Sequence, residues 1–468
     1  MFIDRINELS YLESEYSKPH ANLIVIYGRR RVGKTTLIQE FVRNKPKLYF
    51  LADQQLESEQ IKRFQEALGH LLLDPLLEQI ELPTWDACFQ YLLRSWSSER
   101  KLVLVLDEFQ YLAKINQAFP SILQRLWDEH LKNQNICLIL CGSLVSMMYQ
   151  TTLSYQSPLY GRRSGQIKLQ PLSFVDYRHF FPTLSFEECV EFYSVTGGVP
   201  KYIEVFDANA DLFTKIAQQI LNKNSLLYYE PRLLLNEEVI ESTTYFSILS
   251  VIAQGYNKIG NIAGRLGVKV NNLGKYLTTL IELGLLERRV PITEKDPSKS
   301  KKGLYFIKDN FFRFWFRYVF PYQNYLEMDN LAYVQEKLQS TFSEYVSLTF
   351  ESCCAELMWN WAAHNQLPFP LEKIGRWWNK NAEIDIVGIN ETTRQIIFGE
   401  CKWTAQPMGV DDFQSLQAKT AFVDWDFDEQ NVAYILFSKS GFTPQLVANA
   451  RAANVPVLLH GIDKEIED

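Results

Sequence analysis

A glycine-rich segment near the N-terminus has the residue types and the spacing that bind phosphate. Its two glycines, Gly28 and Gly33, allow the backbone to fold closely around phosphate groups, and the amides at the start of the next helix point at the anion. We expect Lys34 to reach the terminal phosphates of ATP and the Thr35 hydroxyl to ligate Mg²⁺. The alternative is a glycine-rich turn before a structural helix. The predicted nucleotide-binding segment comprises Gly28, Arg29, Arg30, Arg31, Val32, Gly33, Lys34, Thr35 and Thr36.

Two acids, Asp107 and Glu108, follow directly after the apolar residues 102–106. An uninterrupted apolar strand is typical of a parallel sheet that is buried on both faces, and such sheets bind ligands at the carboxyl ends of their strands. We therefore expect Asp107 to hold Mg²⁺ through water and Glu108 to orient the water that attacks the γ-phosphate. The alternative is a solvated acidic turn after a core strand.

Ser143 and a pair of arginines are further candidates for the nucleotide site. Ser143 follows the apolar run 136–141 and a glycine, where a small polar side chain can touch the γ-phosphate or the lytic water. Arg162 and Arg163 lie in a turn, and a guanidinium stabilises the spreading charge of a phosphoryl group better than an ammonium does. Either arginine could be an arginine finger. The alternative is a surface turn with two solvated arginines.

A second group of charged residues lies in the C-terminal part of the chain. Side chains two positions apart on a strand share a face, so Glu400 and Lys402 point the same way, as do Glu383 and Asp385. An Asp on one strand and a Glu-x-Lys on its neighbour can gather two carboxylates around Mg²⁺ or Mn²⁺, with the lysine polarising the nucleophile or phosphate. The pattern predicts phosphodiester hydrolysis by Asp385, Glu400 and Lys402. The alternative is a hairpin with charges on its wet face.

The apolar pattern predicts the elements that must position these residues. Apolar strands alternating with helices in the N-terminal part predict an α/β fold with a parallel sheet. Residues 239–290 predict three helices and the start of a hairpin, which is the order of a helix-turn-helix with a wing. The third helix would present Asn271, Asn272 and Lys275 to base edges or phosphates. A helix-turn-helix can also serve as a protein-binding lid.

The N-terminal part resembles the archaeal-type ATPase family, which is related to the AAA+ and STAND signal-transduction ATPases. The resemblance extends from Phe2 to about Tyr202 and implies that the opening segment helps to frame the nucleotide. It also implies that Arg162, rather than Arg163, is the residue resembling an arginine finger. A finger acting in trans would require a homo-oligomer. The matching segments are Phe2, Asp4-Arg5 and Glu8-Leu9, followed by GRRRVGKTT, LVLVLDEFQYL, LILCGS, SPLYGRR and TGGVPKY.

The C-terminal part resembles the DUF234 domain and, through it, the PD-(D/E)XK nuclease superfamily. The matching residues are Asp385 and Glu400-Cys401-Lys402, with Glu351 as the helix acid that often accompanies them. Ile384 stands where the superfamily has a proline. The resemblance implies a restriction-endonuclease-like fold and a nuclease metal, Mg²⁺ or Mn²⁺, held by Asp385, Glu400 and Glu351.

Composition limits the function classes. The 48 basic and 55 acidic residues give a net charge of −7, so any contact with nucleic acid must be local. Seven cysteines without paired spacing predict reduced thiols and a cytoplasmic location. No stretch approaches 18 uninterrupted apolar residues, and Arg313 and Arg317 interrupt the aromatic run 311–320. That run is therefore predicted to pack inside a soluble domain, with no membrane as partner.

Together these observations predict an α/β protein with four parts. They are a P-loop ATPase domain (1–205), a helical and winged-helix domain (206–300), a connecting helical segment (301–340) and a nuclease-like domain (341–468). The predicted function is ATP binding and hydrolysis that controls a C-terminal domain acting on DNA or RNA. The alternative is a nucleotide-switched regulator or scaffold that binds nucleic acid or protein without cleavage.

Overall fold

The computed structural model describes residues 5–206, 211–427 and 431–461. The chain divides into two units. The N-terminal unit contains the residues up to Pro171 together with Val199–Lys201, and the C-terminal unit contains Leu172–Gly198 and the residues from Tyr202 onwards. Phe2 and Asp4 of the opening segment lie outside the described residues.

The N-terminal unit is built on a five-stranded sheet. Its strands are β1 (Asn22–Tyr27), β2 (Lys47–Leu51), β3 (Leu102–Asp107), β4 (Ile136–Gly142) and β5 (Gly165–Lys168). They lie in the order β2-β3-β4-β1-β5, and every neighbouring pair is parallel. The three central strands, β3, β4 and β1, are buried along their whole length, as their continuous apolar sequences predict.

Helices accompany this sheet. They are α1 (Ile6–Tyr16), α2 (Lys34–Phe41), α3 (Glu57–Leu72), α4 (Trp85–Ser95), α5 (Phe109–Ile115), α6 (Phe119–Glu129) and α7 (Val145–Met148). Leu37, Ile38 and Phe41 of α2 belong to the same buried cluster as Ile24 and Ile26 of β1. The loop between β1 and α2 is thus fixed at both ends by packed apolar side chains.

The register of the sheet brings three predicted segments to one edge. Tyr27 at the end of β1 pairs with Gly142 at the end of β4, and Leu106 of β3 pairs with Leu140 of β4. The glycine-rich loop, the Asp107-Glu108 pair and Ser143 follow these strand ends. We call this edge of the sheet the carboxyl edge.

The first part of the C-terminal unit is helical. Residues 311–318 of the aromatic run lie in α16 (Asn310–Tyr318), in which Phe311, Phe312 and Trp315 are buried. The Trp315 indole N–H donates to the Tyr228 carbonyl at 2.8 Å. The run is therefore a packing element, as predicted, and no helix in the described ranges is long and apolar enough to cross a membrane. The helices from residue 172 to 327 are α8 (Phe174–Tyr177), α9 (Phe186–Thr196), α10 (Pro200–Val205), α11 (Leu212–Ile216), α12 (Glu230–Glu238), α13 (Ser242–Ala253), α14 (Ile259–Leu266), α15 (Val270–Glu282), α16 (Asn310–Tyr318) and α17 (Gln323–Glu327).

A hairpin of two antiparallel strands, β6 (Leu286–Arg289) and β7 (Leu304–Ile307), follows α15. Helices α13, α14 and α15 with this hairpin have the order that the sequence predicts. The apolar spacing of α15 accounts for its buried side, which consists of Leu273, Leu277 and Leu280.

The second sheet closes the C-terminal unit. Its strands are β8 (Lys373–Trp378), β9 (Glu383–Asn390), β10 (Gln395–Lys402), β11 (Val432–Ser438) and β12 (Val457–Gly461), in the order β12-β11-β10-β9-β8. Strands β8, β9 and β10 are antiparallel neighbours, whereas β10, β11 and β12 are parallel. The accompanying helices are α18 (Leu331–Ala363), α19 (Val410–Thr420) and α20 (Pro444–Arg451).

Helix α18 is 33 residues long and contacts β8, β9 and β10. The predicted boundary between residues 340 and 341 falls inside this continuous helix.

The loop between β6 and β7, residues 290–303, lies on the edge strand β8. The Ile292 amide donates to the Arg376 carbonyl at 2.9 Å, and the Ile292 side chain packs beside Gly375. Ile292 also packs against the buried cluster of the second sheet. We call residues 290–303 the hairpin loop.

Candidate functional site

The glycine-rich loop has a backbone that only glycine fits at two places. Gly28 has φ +156°, and a Cβ there would lie 2.4 Å from the Leu169 carbonyl oxygen. Gly33 has φ +94°, in the region that L side chains rarely adopt. The predicted pattern of glycines therefore has a direct steric cause in the fold.

Lys34 is buried and lies across the loop. Its Nζ donates to the carbonyl oxygens of Gly28 and Arg29, each at 2.8 Å. Arg30 donates to the Tyr111 hydroxyl at 3.0 Å, and Arg31 has a positive φ of 69°. The loop thus presents an ammonium group that its own backbone holds in place.

The Thr35 hydroxyl lies 3.3 Å from Asp107 Oδ2, across 72 residues of sequence. Asp107 is buried, and its Oδ1 accepts the Glu108 amide at 2.9 Å. Two hard oxygen donors, a hydroxyl and a carboxylate, are what Mg²⁺ prefers in proteins, and phosphate oxygens and water would complete its shell. The residues at this place therefore fit Mg²⁺.

Tyr49, at β2, was not found in the sequence as a candidate. Its hydroxyl donates to Asp107 Oδ2. Burial and the negative charge of Asp107 raise the pKa of Tyr49, so it stays protonated and keeps donating to the carboxylate. Its position was not visible in the sequence, because it depends on β2 pairing with β3.

Glu108 and Ser143 meet at the carboxyl edge. Ser143 Oγ donates to Glu108 Oε2 at 2.8 Å, and the buried Gln110 side chain donates to both residues. Glu108 has φ +54°, and a Cβ at Gly142 would lie 2.3 Å from Gln110 Oε1. Gln110 is a further residue that the sequence pattern did not mark. It fixes the carboxylate against the serine.

Arg5 connects the opening segment to the loop. Its Nη2 donates to the Val32 carbonyl at 3.2 Å and to the Gln170 carbonyl at 2.7 Å, and Nη1 pairs with Glu8 at 3.3 Å. The side chain is buried. The resemblance implied a framing role for the segment, and these contacts identify Arg5 as the residue that touches the loop.

Arg162 lies away from the glycine-rich loop of its own chain. The next residue but one, Ser164, donates to the carbonyl of Leu23 at the start of β1. The length of β1 from Leu23 to Tyr27, about 13 Å at the usual rise of a strand, separates this place from the carboxyl edge. Arg162 instead pairs with Asp128 at 3.0 Å.

Arg163 lies beside Tyr160, with its guanidinium 5.6 Å from the centre of the ring. Its Nη1 also donates to the Leu153 carbonyl at 3.5 Å.

The second sheet brings the C-terminal candidates together. Asp385 Oδ2 accepts the Cys401 amide at 3.0 Å, which places Asp385 beside the Glu400-Cys401-Lys402 segment of β10. Lys402 Nζ lies 3.2 Å from Glu400 Oε1, and both lie on β10 as the alternation of side chains predicts.

Two basic residues that the sequence did not mark complete this cluster. Arg376 of β8 lies 3.0 Å from Glu351 Oε2 and 3.7 Å from Asp385 Oδ1. Lys419 of α19 lies 2.9 Å from Glu400 Oε2. A lone arginine in a strand and a lone lysine in a helix carry no signal in the sequence, because only the tertiary fold brings them to the acids.

Burial dominates the electrostatics of these acids. It raises the pKa of Asp385 to about 6, with the charge of Glu400 adding to the effect. It raises the pKa of Glu351 to about 7, although the nearby Arg376 favours the charged form.

The C-terminal acids do not fit a metal ion as they stand. Within the part of the chain that the structure describes, no group of three or more His, Cys, Asp and Glu side chains is arranged to hold one. Glu351, Asp385 and Glu400 each face a protein cation instead. The metal predicted at these three residues is therefore not supported by their arrangement.

The predicted nucleic-acid residues lie on the surface of α15. Asn271, Asn272 and Lys275 are exposed, on the side away from the buried leucines. The neighbouring Tyr276 donates to Glu241.

A parallel sheet with a glycine-rich loop, a buried lysine and an acid pair at the carboxyl edge defines the N-terminal unit as a P-loop ATPase domain of the α/β class. Residues 2–206 match the family of ATPase domains that come predominantly from Archaea. Residues 315–416 match DUF234, a family of archaeal and bacterial proteins of unknown function. An uncharacterised protein of Methanocaldococcus jannaschii is 38% identical over 403 residues, 86% of this chain and 88% of that protein. The chain belongs to the archaeal ATPase family and carries a DUF234 domain.

Other similarities cover the chain less fully or less closely. An uncharacterised ATP-binding protein of Methanocaldococcus jannaschii is 56% identical over 45 residues, 10% of this chain and 76% of that protein. Among solved structures, a Walker-type ATPase of Pyrococcus abyssi is 20% identical with a TM-score of 0.49, and the match covers 68% of this chain and 96% of that one. The ORC2 protein of Aeropyrum pernix is 15% identical with a TM-score of 0.43, over 72% of this chain and 96% of that one.

Proposed function

We propose that the chain binds and hydrolyses ATP at the carboxyl edge of the first sheet. The observation that carries the proposal is the 3.3 Å approach of the Thr35 hydroxyl to Asp107, beside a loop that holds Lys34. Mg²⁺ held by Thr35 and Asp107 would neutralise charge on the phosphates. Lys34 would bind the terminal phosphates, Glu108 would orient the attacking water, and Ser143 would hold the Glu108 carboxylate in place.

The first experiment measures ATP affinity after Lys34→Ala. We expect affinity to fall by at least about tenfold, because a charge-assisted hydrogen bond contributes roughly 1.5–3 kcal/mol. The control is Lys132→Ala, which removes an exposed lysine from the same unit. Titration with a fluorescent ATP analogue gives the affinity, and circular dichroism reports whether the fold is retained. Equal ATP affinity in the variant and the wild type would contradict the proposed site.

We further propose that the C-terminal unit acts on nucleic acid under the control of ATP. Exposed Asn271, Asn272 and Lys275 on α15 support a nucleic-acid contact. The hairpin loop adds four exposed lysines: Lys295, Lys299, Lys301 and Lys302. Polar and basic side chains on adjoining elements are what phosphate and base contacts require. The order of three helices and a hairpin supports a winged-helix domain.

ATP turnover with and without duplex DNA or RNA tests this second proposal. We expect turnover to rise when nucleic acid is present, and the rise to shrink as salt increases, because phosphate contacts release counterions. The variant Lys275→Ala should weaken the response and leave basal turnover unchanged. Turnover that is indifferent to every nucleic acid would favour a switch that faces protein.

Phosphodiester cleavage is the specific action that Asp385, Glu400 and Lys402 support, since the fold brings them to one place. Incubation of DNA and RNA with the wild-type chain and Mg²⁺ or Mn²⁺ tests it. Cleavage that disappears in Asp385→Ala and in Lys402→Ala would support the proposal. Cleavage that persists in both variants would point to a contaminating nuclease.

The second candidate function is a nucleotide-switched regulator or scaffold whose C-terminal domain binds without cleaving. The arrangement of Arg376 favours it, because this side chain faces Glu351 and Asp385 where the cleavage proposal expects a metal. A wild-type protein that binds nucleic acid but does not cleave it would support this candidate.

Two further proposals concern the setting of the protein. We propose a reducing compartment such as the cytoplasm, supported by seven cysteines that are all unpaired thiols, six of them buried. We also propose a homo-oligomer in which Arg162 serves the nucleotide site of a second copy. Its distance from the loop of its own chain supports this arrangement.

A further inference from the structure

The C-terminal cluster contains as many bases as acids at its centre. Glu351, Asp385 and Glu400 have side chains that are 15%, 13% and 8% exposed. Arg376, Lys402 and Lys419 face them from β8, β10 and α19. Because isolated buried charges are costly, this pairing explains how three acids can be held together away from water.

The carboxylate oxygens of the two strand acids are engaged. Asp385 uses one oxygen for the Cys401 amide and the other for Arg376. Glu400 uses one oxygen for Lys402 and the other for Lys419. A divalent cation binds through such oxygens, so it would compete with these protein cations for them.

Arg376 is the cation that lies between two acids on different elements. It reaches Glu351 on α18 at 3.0 Å and Asp385 on β9 at 3.7 Å, and its own side chain is 15% exposed. It also lies 3.6 Å from Glu383, an exposed acid at the start of β9. A guanidinium keeps its charge at every accessible pH and can engage two carboxylates at once. No other side chain has ion pairs to both Glu351 and Asp385 in the described part of the chain.

We propose that Arg376 is the built-in cation of the C-terminal cluster and that it keeps a divalent metal away from Glu351 and Asp385 until its guanidinium moves. This inference rests on the proposed action of the cluster on nucleic acid, and it adds the regulation of that site. The backbone of Arg376 accepts the Ile292 amide of the hairpin loop. Nucleic acid that binds the lysines of that loop would therefore pull on strand β8, which carries Arg376.

The experiment measures Mn²⁺ binding by electron paramagnetic resonance on the full, nucleotide-free chain. We expect Arg376→Gln to gain an Mn²⁺ site that depends on Asp385. This site should bind Mn²⁺ at least about tenfold more tightly than any Asp385-dependent site in the wild type, because a competing positive charge is gone. Adding Asp385→Asn to Arg376→Gln should remove the gained site. Arg376→Lys should gain nothing, since it retains the charge.

The matched control is Arg394→Gln, which removes the exposed arginine that pairs with Asp426 at 2.9 Å. It should leave Mn²⁺ binding unchanged. Thermal melting reports whether each variant folds. If Arg376→Gln does not fold, the wild type still decides, because an Asp385-dependent Mn²⁺ site in the wild type with the affinity of an ordinary carboxylate site would overturn the proposal.

Cleavage is measured separately, so that the two proposals can fail independently. Unchanged Mn²⁺ affinity in a folded Arg376→Gln overturns the role of Arg376 whatever happens to DNA or RNA. A gained, Asp385-dependent Mn²⁺ site without cleavage in any variant supports the role of Arg376 and removes the nuclease proposal.

Discussion

At the scale of single residues, a substitution of Glu108 tests the proposed chemistry most directly. Glu108→Gln keeps an oxygen that can accept from Ser143 but cannot take a proton or orient water as a carboxylate does. We expect ATP affinity to be retained and turnover to fall by at least about 100-fold. The measurement is phosphate release at saturating ATP.

Glu66→Gln is the control for this prediction, because Glu66 is an exposed acid of the same unit. It should hydrolyse ATP at the wild-type rate. Turnover near the wild-type rate in Glu108→Gln would mean that another group orients the water.

The residues predicted from the sequence are those whose own segment carries the signal. Lys34 and Thr35 stand in a fixed spacing of glycines, and Asp107 and Glu108 end a continuous apolar run. Arg5 is different, because its partner at Gln170 is 165 residues away in the sequence. Tyr49, Gln110, Arg376 and Lys419 were not predicted, because each has a partner on another element. Their contacts exist only after strands and helices have packed.

At the scale of elements, helix α18 is joined to the start of α8 by a partly buried carboxylate. Glu356 Oε2 accepts the Phe174 amide at 2.6 Å. Burial raises the pKa of Glu356 from 4.5 to about 7, against the effect of the Phe174 hydrogen bond. The folded chain therefore holds a proton that the unfolded chain releases between pH 4.5 and 7.

The contribution of Glu356 to the stability of the folded chain therefore decreases as the pH rises through that window. Its contribution is fully present below pH 4.5 and is lost as the pH passes about 7. The variant Glu356→Gln keeps the acceptor oxygen but has no proton to lose. We expect its free energy of unfolding to rise by roughly 2–3 kcal/mol, relative to that of the wild type, between pH 4.5 and pH 8. Urea unfolding at both pH values gives this difference.

The control for this prediction is Glu336→Gln on the exposed side of the same helix. Its difference from the wild type should be equal at the two pH values. An equal difference for Glu356→Gln as well would show that folding does not raise the pKa of Glu356.

Elements were predicted well where one pattern dominates. The buried strands of the first sheet, the aromatic helix α16 and the order of α13, α14, α15 and the hairpin follow from apolar spacing alone. The sequence did not show that α18 continues across the predicted boundary at residue 340. The apolar period of a helix stays the same where the elements packed against it change. Strand order in both sheets depends on long-range pairing and was not predicted.

At the scale of the whole molecule, the position of Arg162 makes a prediction about assembly. Arg162→Ala should lower ATP turnover by roughly tenfold or more if the guanidinium serves a second copy. Mixing Arg162→Ala with Lys34→Ala should restore part of the activity, because one copy supplies the intact loop and the other the intact arginine. The measurement is turnover of each variant alone and of the mixture.

Arg125→Ala is the matched control, since Arg125 also forms a surface ion pair from the same unit, with Asp86 at 2.7 Å. It should leave turnover unchanged. A mixture no more active than the average of its two components would argue against a finger supplied between copies.

The contact between Ile292 and β8 has a consequence for shortened forms of the protein. Strand β8 is the last strand of its sheet, and the hairpin loop supplies a backbone donor to its outer side. A fragment beginning at residue 315, where the match to DUF234 starts, lacks that cover. Its bare strand would be open to pairing with other molecules, so such a fragment should self-associate in solution, whereas one that begins ahead of β6 should not.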